Sequence, residues 1–415
     1  MRQLTAVVLG VLPLIACQRE VPASASSGFS MATDSLKFEN FDHGYFDSRL
    51  DAELMVRMFG EDVCVAQSSP CTLKPAARTW MSNANSAMSG GRCEGFAVVS
   101  SLFFSKDLKP DDFGAPTARE LELAGNAGLQ RELAYWFATQ MVPEVVASQT
   151  RSFAAKDVMP FLADTLKPDA TERYRLGIIN KQGRKVLGAH AMTPISYHRG
   201  ERAGLYYLRV YDNNNPDSER ELKIDTAANR WEYQAARNPN KRSSLFYGDD
   251  SNHNLLYFAP VRNRLGTLKC QFCKSTDAVV ATTSGGVEAL VSSAIGKVGV
   301  KDGELIAEGG GAVSPSFTSD LEEGPAEYNL YAPASNAVSV AIGGDPTQTA
   351  GAFAAFGPGY SVALSGMTLS GEKTNTLAIG EGGNEVTFQN DDHSPVTVAS
   401  TLTSKSGGTV EVTVS

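Results

Sequence analysis

The sequence has few features of proteins that bind nucleic acids or metals. It contains no run of lysine and arginine, and 46 acidic residues outnumber 37 basic ones, which gives a net charge of −9. A nucleic-acid-binding protein presents a basic face, so we expect no such partner. Only five histidines occur, and four have no suitably spaced acidic partner: His43, His198, His253 and His393. The glycine-rich stretch after Glu308 is not followed by the lysine of a phosphate-binding loop. We therefore expect neither a metal nor another cofactor.

Apolar runs of membrane-spanning length are also missing. The apolar segment at residues 4–16 follows Arg2 and is shorter than the roughly 20 residues of a membrane-spanning helix, which indicates an export signal. Its end, "LIAC" at residues 14–17, resembles the signal of bacterial lipoproteins, whose cysteine is acylated. The resemblance implies a signal peptide over residues 1–17, lipid attachment at Cys17 and a place in the bacterial cell envelope; a plain secretory signal is the alternative. Residues 18–35 are predicted to be a flexible tether.

Cysteine is scarce, and its count is informative. Without Cys17, five cysteines remain in a chain predicted to enter an oxidising compartment: Cys64, Cys71, Cys93, Cys270 and Cys273. Two local disulfides, Cys64–Cys71 and Cys270–Cys273, would leave Cys93 as an unpaired thiol. The alternative is a four-cysteine zinc site built from both pairs, although its halves are about 200 residues apart in sequence.

The composition changes near residue 275. Residues 36–274 hold all three tryptophans and predict helices followed by an antiparallel sheet, which is an α+β domain. One predicted helix, residues 51–60, carries an apolar stripe with Gly60 as its end; another spans residues 118–142. Residues 275–415 contain short alternating runs separated by glycine-rich turns, which predict a separate β-sandwich-like module.

Three stretches of the first domain carry residues for thiol catalysis. Cys93 follows a glycine pair and precedes an apolar helix, where the helix dipole would stabilise a thiolate. His190 lies between alanines in "GAHAM", and Asp212 ends the strand-like "LYYLRVYD". Strand alternation places Asp212 on the face of Val210 and directs Asn213 away. A thiol, an imidazole and an orienting carboxylate form a nucleophilic triad.

The order of these motifs resembles that of the papain-like and transglutaminase-like cysteine hydrolases. The likeness covers roughly residues 45–265 and consists of Gly-x-Cys-x-Gly-aromatic opening a helix, then Gly-x-His-Ala, then a strand ending in Tyr-Asp-Asn. It implies Cys93 as nucleophile, His190 as acid and base, and Asp212 as orienting residue, with Asn213 as the alternative third member. The position six residues before the cysteine is Ala87 rather than the usual glutamine, so the candidates for the oxyanion site are Asn85, with Asn83 as its alternative, and Trp80.

The sequence thus predicts a lipid-anchored envelope protein that hydrolyses amide bonds, as a peptidase or an acyltransferase, in protein or peptide substrates. Its fold would be a papain-like or transglutaminase-like α+β domain followed by an all-β module. The alternative is a non-catalytic surface binding or adhesion protein that uses the same fold.

Overall fold

A computed structural model of the chain describes residues 20–41, 46–65, 69–147, 151–182, 185–234, 245–270, 272–273, 278–317, 327–333, 337–344, 351–357, 360–369, 373–391, 393, 395–403 and 409–414. It is a mixed α and β structure with antiparallel sheets and a β-rich C-terminal part, as the sequence predicts. None of the helices in these ranges is long and apolar enough to cross a membrane. Cys17, the predicted site of lipid attachment, lies outside them.

The described α-helices all lie between residues 52 and 165. They are α1 (Ala52–Phe59), α2 (Pro75–Ala87), α3 (Cys93–Ser105), α4 (Ala127–Ala138), α5 (Pro143–Ala147) and α6 (Val158–Thr165). The predicted apolar stripe of α1 is confirmed, since Leu54, Met55, Met58 and Phe59 are all buried. Asp51 caps the helix by accepting from the Leu54 amide at 3.0 Å, and Gly60 ends it with a φ of 78°.

The single helix predicted over residues 118–142 is wrong. Only α4 forms a regular α-helix there, and a 3₁₀ turn at Ala118–Glu120 precedes it. The chain between them passes through Gly125 with a φ of 73°, which an α-helix does not accommodate. Asn126 then starts α4 by accepting a hydrogen bond from the Leu129 amide.

An antiparallel nine-stranded sheet forms the centre of the first part of the chain. Its strands are β1 (Ser24–Ser26), β2 (Arg151–Phe153), β3 (Tyr174–Gln182), β4 (Lys185–Arg199), β5 (Leu205–Tyr211), β6 (Glu219–Asp225), β7 (Arg230–Gln234), β8 (Leu245–Gly248) and β9 (Leu256–Pro260). Their order is β2-β9-β3-β4-β5-β6-β7-β8, and β1 pairs with β4. The long strand β4 pairs with β3 through its first half and with β5 through its second half.

The tether predicted over residues 18–35 is wrong from residue 24 onward. Strand β1 pairs with residues 196–198 of β4, and the Ser27 hydroxyl donates to the Ile195 carbonyl at 2.9 Å. Phe29 is buried and stacks on Tyr211 with ring centroids 6.1 Å apart. A composition rich in serine and alanine indicated flexibility, but the sheet edge and one aromatic anchor fix this segment.

The C-terminal part contains two further antiparallel sheets. Their strands are β10 (Ala278–Ser284), β11 (Val287–Ser292), β12 (Lys297–Lys301), β13 (Glu304–Ala307), β14 (Ala312–Pro315), β15 (Tyr328–Pro333), β16 (Val338–Gly344), β17 (Gly351–Gly357), β18 (Tyr360–Met367), β19 (Asn375–Ile379), β20 (Val386–Gln389), β21 (Thr397–Thr403) and β22 (Thr409–Val414). One sheet has the order β14-β15-β10-β17-β18-β21-β22, and the other β13-β12-β11-β16-β19-β20. Their inner faces share one apolar cluster, which is the arrangement of a β-sandwich.

The separation of residues 275–415 from the first part is not as predicted, because apolar clusters cross the boundary. On the outer face of the seven-stranded sheet, Val280, Ala354 and Phe356 pack in one cluster with the buried face of α2. The cluster between the two sheets extends to Cys93 and Ala97 of α3. Alternating residues make both faces of this sheet apolar, and α2 covers the face that the second sheet leaves open.

Candidate functional site

The predicted site residues gather where β4 continues beyond the end of β5. The last register pair between these strands is Thr193 with Tyr211, so the edge of β4 before Thr193 has no β5 partner. At this edge the Ala191 amide donates to the Cys93 Sγ atom at 3.3 Å. The Asn213 side-chain amide donates to the Ala191 carbonyl at 2.9 Å. Cysteine and asparagine side chains thus satisfy backbone groups that a neighbouring strand would otherwise pair.

Cys93 is the first residue of α3, as the sequence predicts. Gly91 precedes it with a φ of 120°, a conformation that favours glycine, and Arg92 provides no side-chain cap. The first-turn amides of a helix have no acceptor within the helix. A Cβ atom at Gly95 would lie 2.3 Å from the Leu133 carbonyl oxygen, so glycine is needed there for α3 to pack against α4. The two glycines therefore fix the position of the thiol.

His190 and Asp212 form a fully buried pair. The His190 Nε2 atom lies 2.7 Å from Asp212 Oδ1. The second oxygen, Oδ2, accepts from the Tyr233 hydroxyl at 2.5 Å and from the Asn215 side chain at 3.2 Å. Burial alone would raise the pKa of Asp212, but the interaction with His190 and hydrogen bonds from the Tyr233 hydroxyl and the Asn214 amide lower it to about 2. The aspartate is therefore a carboxylate at neutral pH, poised to stabilise a protonated imidazole.

The other nitrogen of the ring, His190 Nδ1, is buried and has no hydrogen-bond partner among the described residues. A strand amide lies in the plane of its sheet, so the thiol at the Ala191 amide lies at the edge of β4. The His190 side chain leaves the adjacent residue on the face that holds Asp212 and Tyr233. The thiol therefore lies at the Ala191 amide, and the imidazole belongs to the adjacent residue of β4, with Nδ1 as the ring nitrogen that the carboxylate does not engage.

The expected low pKa of the Cys93 thiol is wrong. The side chain has no exposed surface, and this burial raises its pKa well above the ordinary value. The Ala191 hydrogen bond and the charge of Arg175 lower the pKa, whereas the negative charges of Glu94 and Asp212 raise it further. The helix start alone does not compensate for the loss of water around the thiolate.

A buried ion cluster that the sequence did not suggest lies beside the thiol. Glu94 is fully buried; it accepts from Arg264 Nη2 at 2.6 Å, and the Arg175 Nε atom lies 2.8 Å from its Oε2 atom. Arg264 also donates to the Thr139 hydroxyl at 3.0 Å. Burial raises the pKa of Glu94, but the two arginines outweigh it and the net pKa is lowered. The cluster fastens the first turn of α3 to β3 and to the turn after β9.

Asn213 has a structural position rather than a place beside the imidazole. Its side chain donates to the Cys93 carbonyl at 3.2 Å as well as to Ala191, and its Oδ1 accepts from Asn40 at 2.6 Å. The backbone of Asn40 extends this link, because its carbonyl accepts from the Arg92 amide at 3.0 Å. Asn213 therefore holds the start of α3 to β4, while Asp212 contacts the ring.

The predicted oxyanion candidates are not part of the site. Asn83 donates to the Thr282 hydroxyl at 2.9 Å. Asn85 bonds both the amide and the carbonyl of Leu50, at 2.9 and 3.0 Å, and so fixes the approach to α1. Trp80 packs in the apolar core, with its ring centroid 5.2 Å from that of Phe59 and 5.9 Å from that of Phe272. Their proximity to Cys93 in sequence is misleading, because α2 directs these side chains elsewhere.

The disulfides predicted from the cysteine count are present. Cys64 is bonded to Cys71 and Cys270 to Cys273, which leaves Cys93 as the free cysteine of the described chain. Both predicted zinc-ligand pairs are therefore oxidised. Among the described residues, no cluster of three or more histidine, cysteine, aspartate or glutamate side chains could hold a metal ion.

Two groups of site residues were missed by sequence reasoning. Tyr233 and Asn215 bond Asp212, and the only sequence signal for Asn215 is the asparagine run after the strand. Glu94 adjoins the cysteine, and a charged residue inside an apolar helix indicates a buried partner.

Comparison of the chain with protein-family models, with curated proteins and with solved structures finds no match.

Proposed function

We propose that the protein is a thiol-dependent amide hydrolase whose triad is Cys93, His190 and Asp212. The observation that carries this proposal is the orientation of His190. Its Nε2 atom is bonded to a carboxylate, its Nδ1 atom has no described partner, and its neighbour Ala191 contacts the thiol. A catalytic imidazole needs one nitrogen fixed by an acid and the other open to the nucleophile. The likeness in motif order to papain-like and transglutaminase-like hydrolases supports the same roles.

In the closed structure His190 Nδ1 forms no hydrogen bond with the Cys93 thiol, so the reaction begins with a movement that brings the two together and with transfer of the thiol proton to Nδ1. The sulfur then attacks the amide carbon, and the oxyanion is stabilised by amides of the first turn of α3. The imidazolium, stabilised by the Asp212 carboxylate, donates its proton to the leaving amine, which leaves a thioester on Cys93. Water attacks the thioester in hydrolysis; a second amine in that place would give acyl transfer.

Access to the triad requires an opening of the structure. Cys93, His190 and Asp212 each have no exposed surface, so an amide substrate reaches them only when their cover moves. Opening also hydrates the thiol and lowers its pKa toward the ordinary value, because burial is the main cause of the upward shift. The state in which the three side chains are covered is therefore closed and inactive, and it must open before catalysis.

We also propose that the protein is anchored in the bacterial cell envelope. Acylation at Cys17 would hold the enzyme on a membrane of the bacterial envelope, where protein or peptide substrates are available. The cysteine that ends the apolar N-terminal segment supports this part, together with disulfides typical of an oxidising compartment.

Alkylation of Cys93 by iodoacetamide, followed by mass spectrometry, tests the triad. We expect the folded wild type to react at least tenfold faster than His190→Ala near neutral pH, because the imidazole removes the thiol proton. Both proteins should react at equal rates when unfolded in urea, which is the control for intrinsic reactivity. Faster labelling of folded His190→Ala than of wild type would show that the imidazole restricts access to the thiol and does not activate it.

The second candidate is a non-catalytic surface binding or adhesion protein, and the complete burial of the three side chains favours it. In that case the pair of His190 and Asp212 is a polar element of the core, and Cys93 satisfies the Ala191 amide. Cys93→Ser would then leave every activity of the protein intact. If the wild type forms a thioester with a peptide amide substrate and loses this activity in Cys93→Ser, with unchanged folding, this candidate is excluded.

A further inference from the structure

A cavity between α2 and the seven-stranded sheet is separate from the thiol site. Its volume is about 160 Å³, and it is lined by α2 on one side and by β10, β15, β17 and β18 on the other. This corresponds to roughly five water molecules, or one small organic molecule. The triad residues do not line it.

The lining is rich in oxygen acceptors. The Asn83 side-chain amide donates to the Thr282 hydroxyl at 2.9 Å, and that of Asn329 donates to the Ser316 hydroxyl at 3.0 Å. Both amides thus turn their NH₂ groups toward hydroxyls, which leaves their carbonyl oxygens as acceptors. Further hydroxyls of the lining add to this set.

Glu327 is the one charged side chain among the described residues that line this cavity. Burial raises its pKa to about 7, and no charged partner contributes to that shift. Glu327 is partly exposed, and an ammonium group at its carboxylate would supply both a counter-ion and hydrogen-bond donors. Tyr328 is the other titratable side chain of the lining, and burial raises its pKa too, so it stays neutral.

We infer that this cavity binds a small organic ammonium ion, with Glu327 as its counter-ion and the side-chain oxygens of Asn83 and Asn329 as further acceptors. An ammonium nitrogen has three donors and no acceptor, which suits a wall of carbonyl, hydroxyl and carboxylate oxygens. The apolar part of the ligand would contact Phe353 and Ala354, which also line the cavity. The site is independent of the thiol chemistry proposed above.

Isothermal titration of the full chain with propylammonium tests the inference, with 1-propanol as the neutral control and potassium chloride as the inorganic one. We expect binding of propylammonium only. The affinity should be higher above pH 7 than below it, because the cation selects the ionised carboxylate. Glu327→Gln should weaken binding on the order of tenfold or more, while Glu381→Gln, at an exposed position, should leave it unchanged.

Proton release provides a second measurement that needs no variant. Near pH 7, binding of propylammonium to the wild type should release protons, seen as a heat that depends on the ionisation enthalpy of the buffer. Equal binding of 1-propanol, equal binding to Glu327→Gln, or the absence of both heat and proton release would overturn the inference. A response to potassium as large as that to propylammonium would instead indicate a site for inorganic cations and would also refute it.

Discussion

Replacement of Glu94 by glutamine should be among the most destabilising changes of a single charge in this protein. Glu94 has no exposed side-chain surface, and its partners Arg175 and Arg264 are 6% and 1% exposed. Glutamine keeps the shape but removes the charge, which leaves two buried guanidinium groups without a counter-ion. Breaking a buried pair in this way typically costs about 3–5 kcal/mol, a large part of the roughly 5–15 kcal/mol that stabilises a domain.

The assay is urea unfolding followed by tryptophan fluorescence, since all three tryptophans precede residue 275. Glu53→Gln is the matched control: Glu53 pairs with Arg131 but is 84% exposed, so its loss should not shift the midpoint measurably. The deficit of Glu94→Gln should shrink at acidic pH. The folded-state pKa of Glu94 is lowered, so its stabilisation is present above the unfolded-state pKa and is lost as pH falls through the folded-state value.

A triple variant separates charge from packing. Glu94→Leu combined with Arg175→Met and Arg264→Met removes all three charges and should recover much of the lost stability. Folded Glu94→Gln should also expose Cys93 to alkylation more readily, because the cluster holds the first turn of α3. A midpoint for Glu94→Gln equal to that of Glu53→Gln would refute the assignment of a strong buried ion cluster.

Three further predictions concern the site, the anchor and the C-terminal part. Asp212→Ala should lower turnover on the order of 10²-fold through lost orientation and charge. Asn213→Ala should mainly reduce the free energy of unfolding, by about 1–3 kcal/mol, because two backbone carbonyls lose their donor; the reverse ranking in kinetic and urea assays would contradict both roles. Radiolabelled palmitate should enter wild type but not Cys17→Ala, and equal incorporation would rule out acylation there. A chain truncated after residue 277 should expose the apolar face of α2 and bind the dye ANS, and a native-like melting curve would show that the two parts do not depend on each other.

Local patterns in the sequence were sufficient for several features. The stripe of α1 follows from 3.6-residue periodicity, and the contact of Asp212 with His190 follows from alternation along β5. The disulfides follow from cysteine arithmetic, because each joins residues at most seven positions apart. In each case the residues involved are at most 22 positions apart in the sequence.

Features that depend on distant partners could not be predicted in this way. Glu94 is 170 residues from Arg264, and Ser27 is 168 residues from Ile195, so nothing in their surroundings specifies the pairing. The raised pKa of Cys93 has the same origin, since strands far along the chain bury the thiol. Helix position is a local property, whereas desolvation is a property of the whole fold.

The pairing of β1 with β4 limits how far the protein could stand from a membrane. With Cys17 acylated as proposed, Ser24 is only seven positions beyond the anchor, a span of at most about 25 Å. From His198, the partner of Ser24, eight positions along β4 lead to His190, or about 26 Å more. With about 5 Å between the paired strands, the imidazole would therefore lie within roughly 55 Å of the bilayer surface. If the protein is the lipid-anchored hydrolase proposed above, it would therefore act only in a thin layer next to the membrane, and its substrates would have to reach that layer.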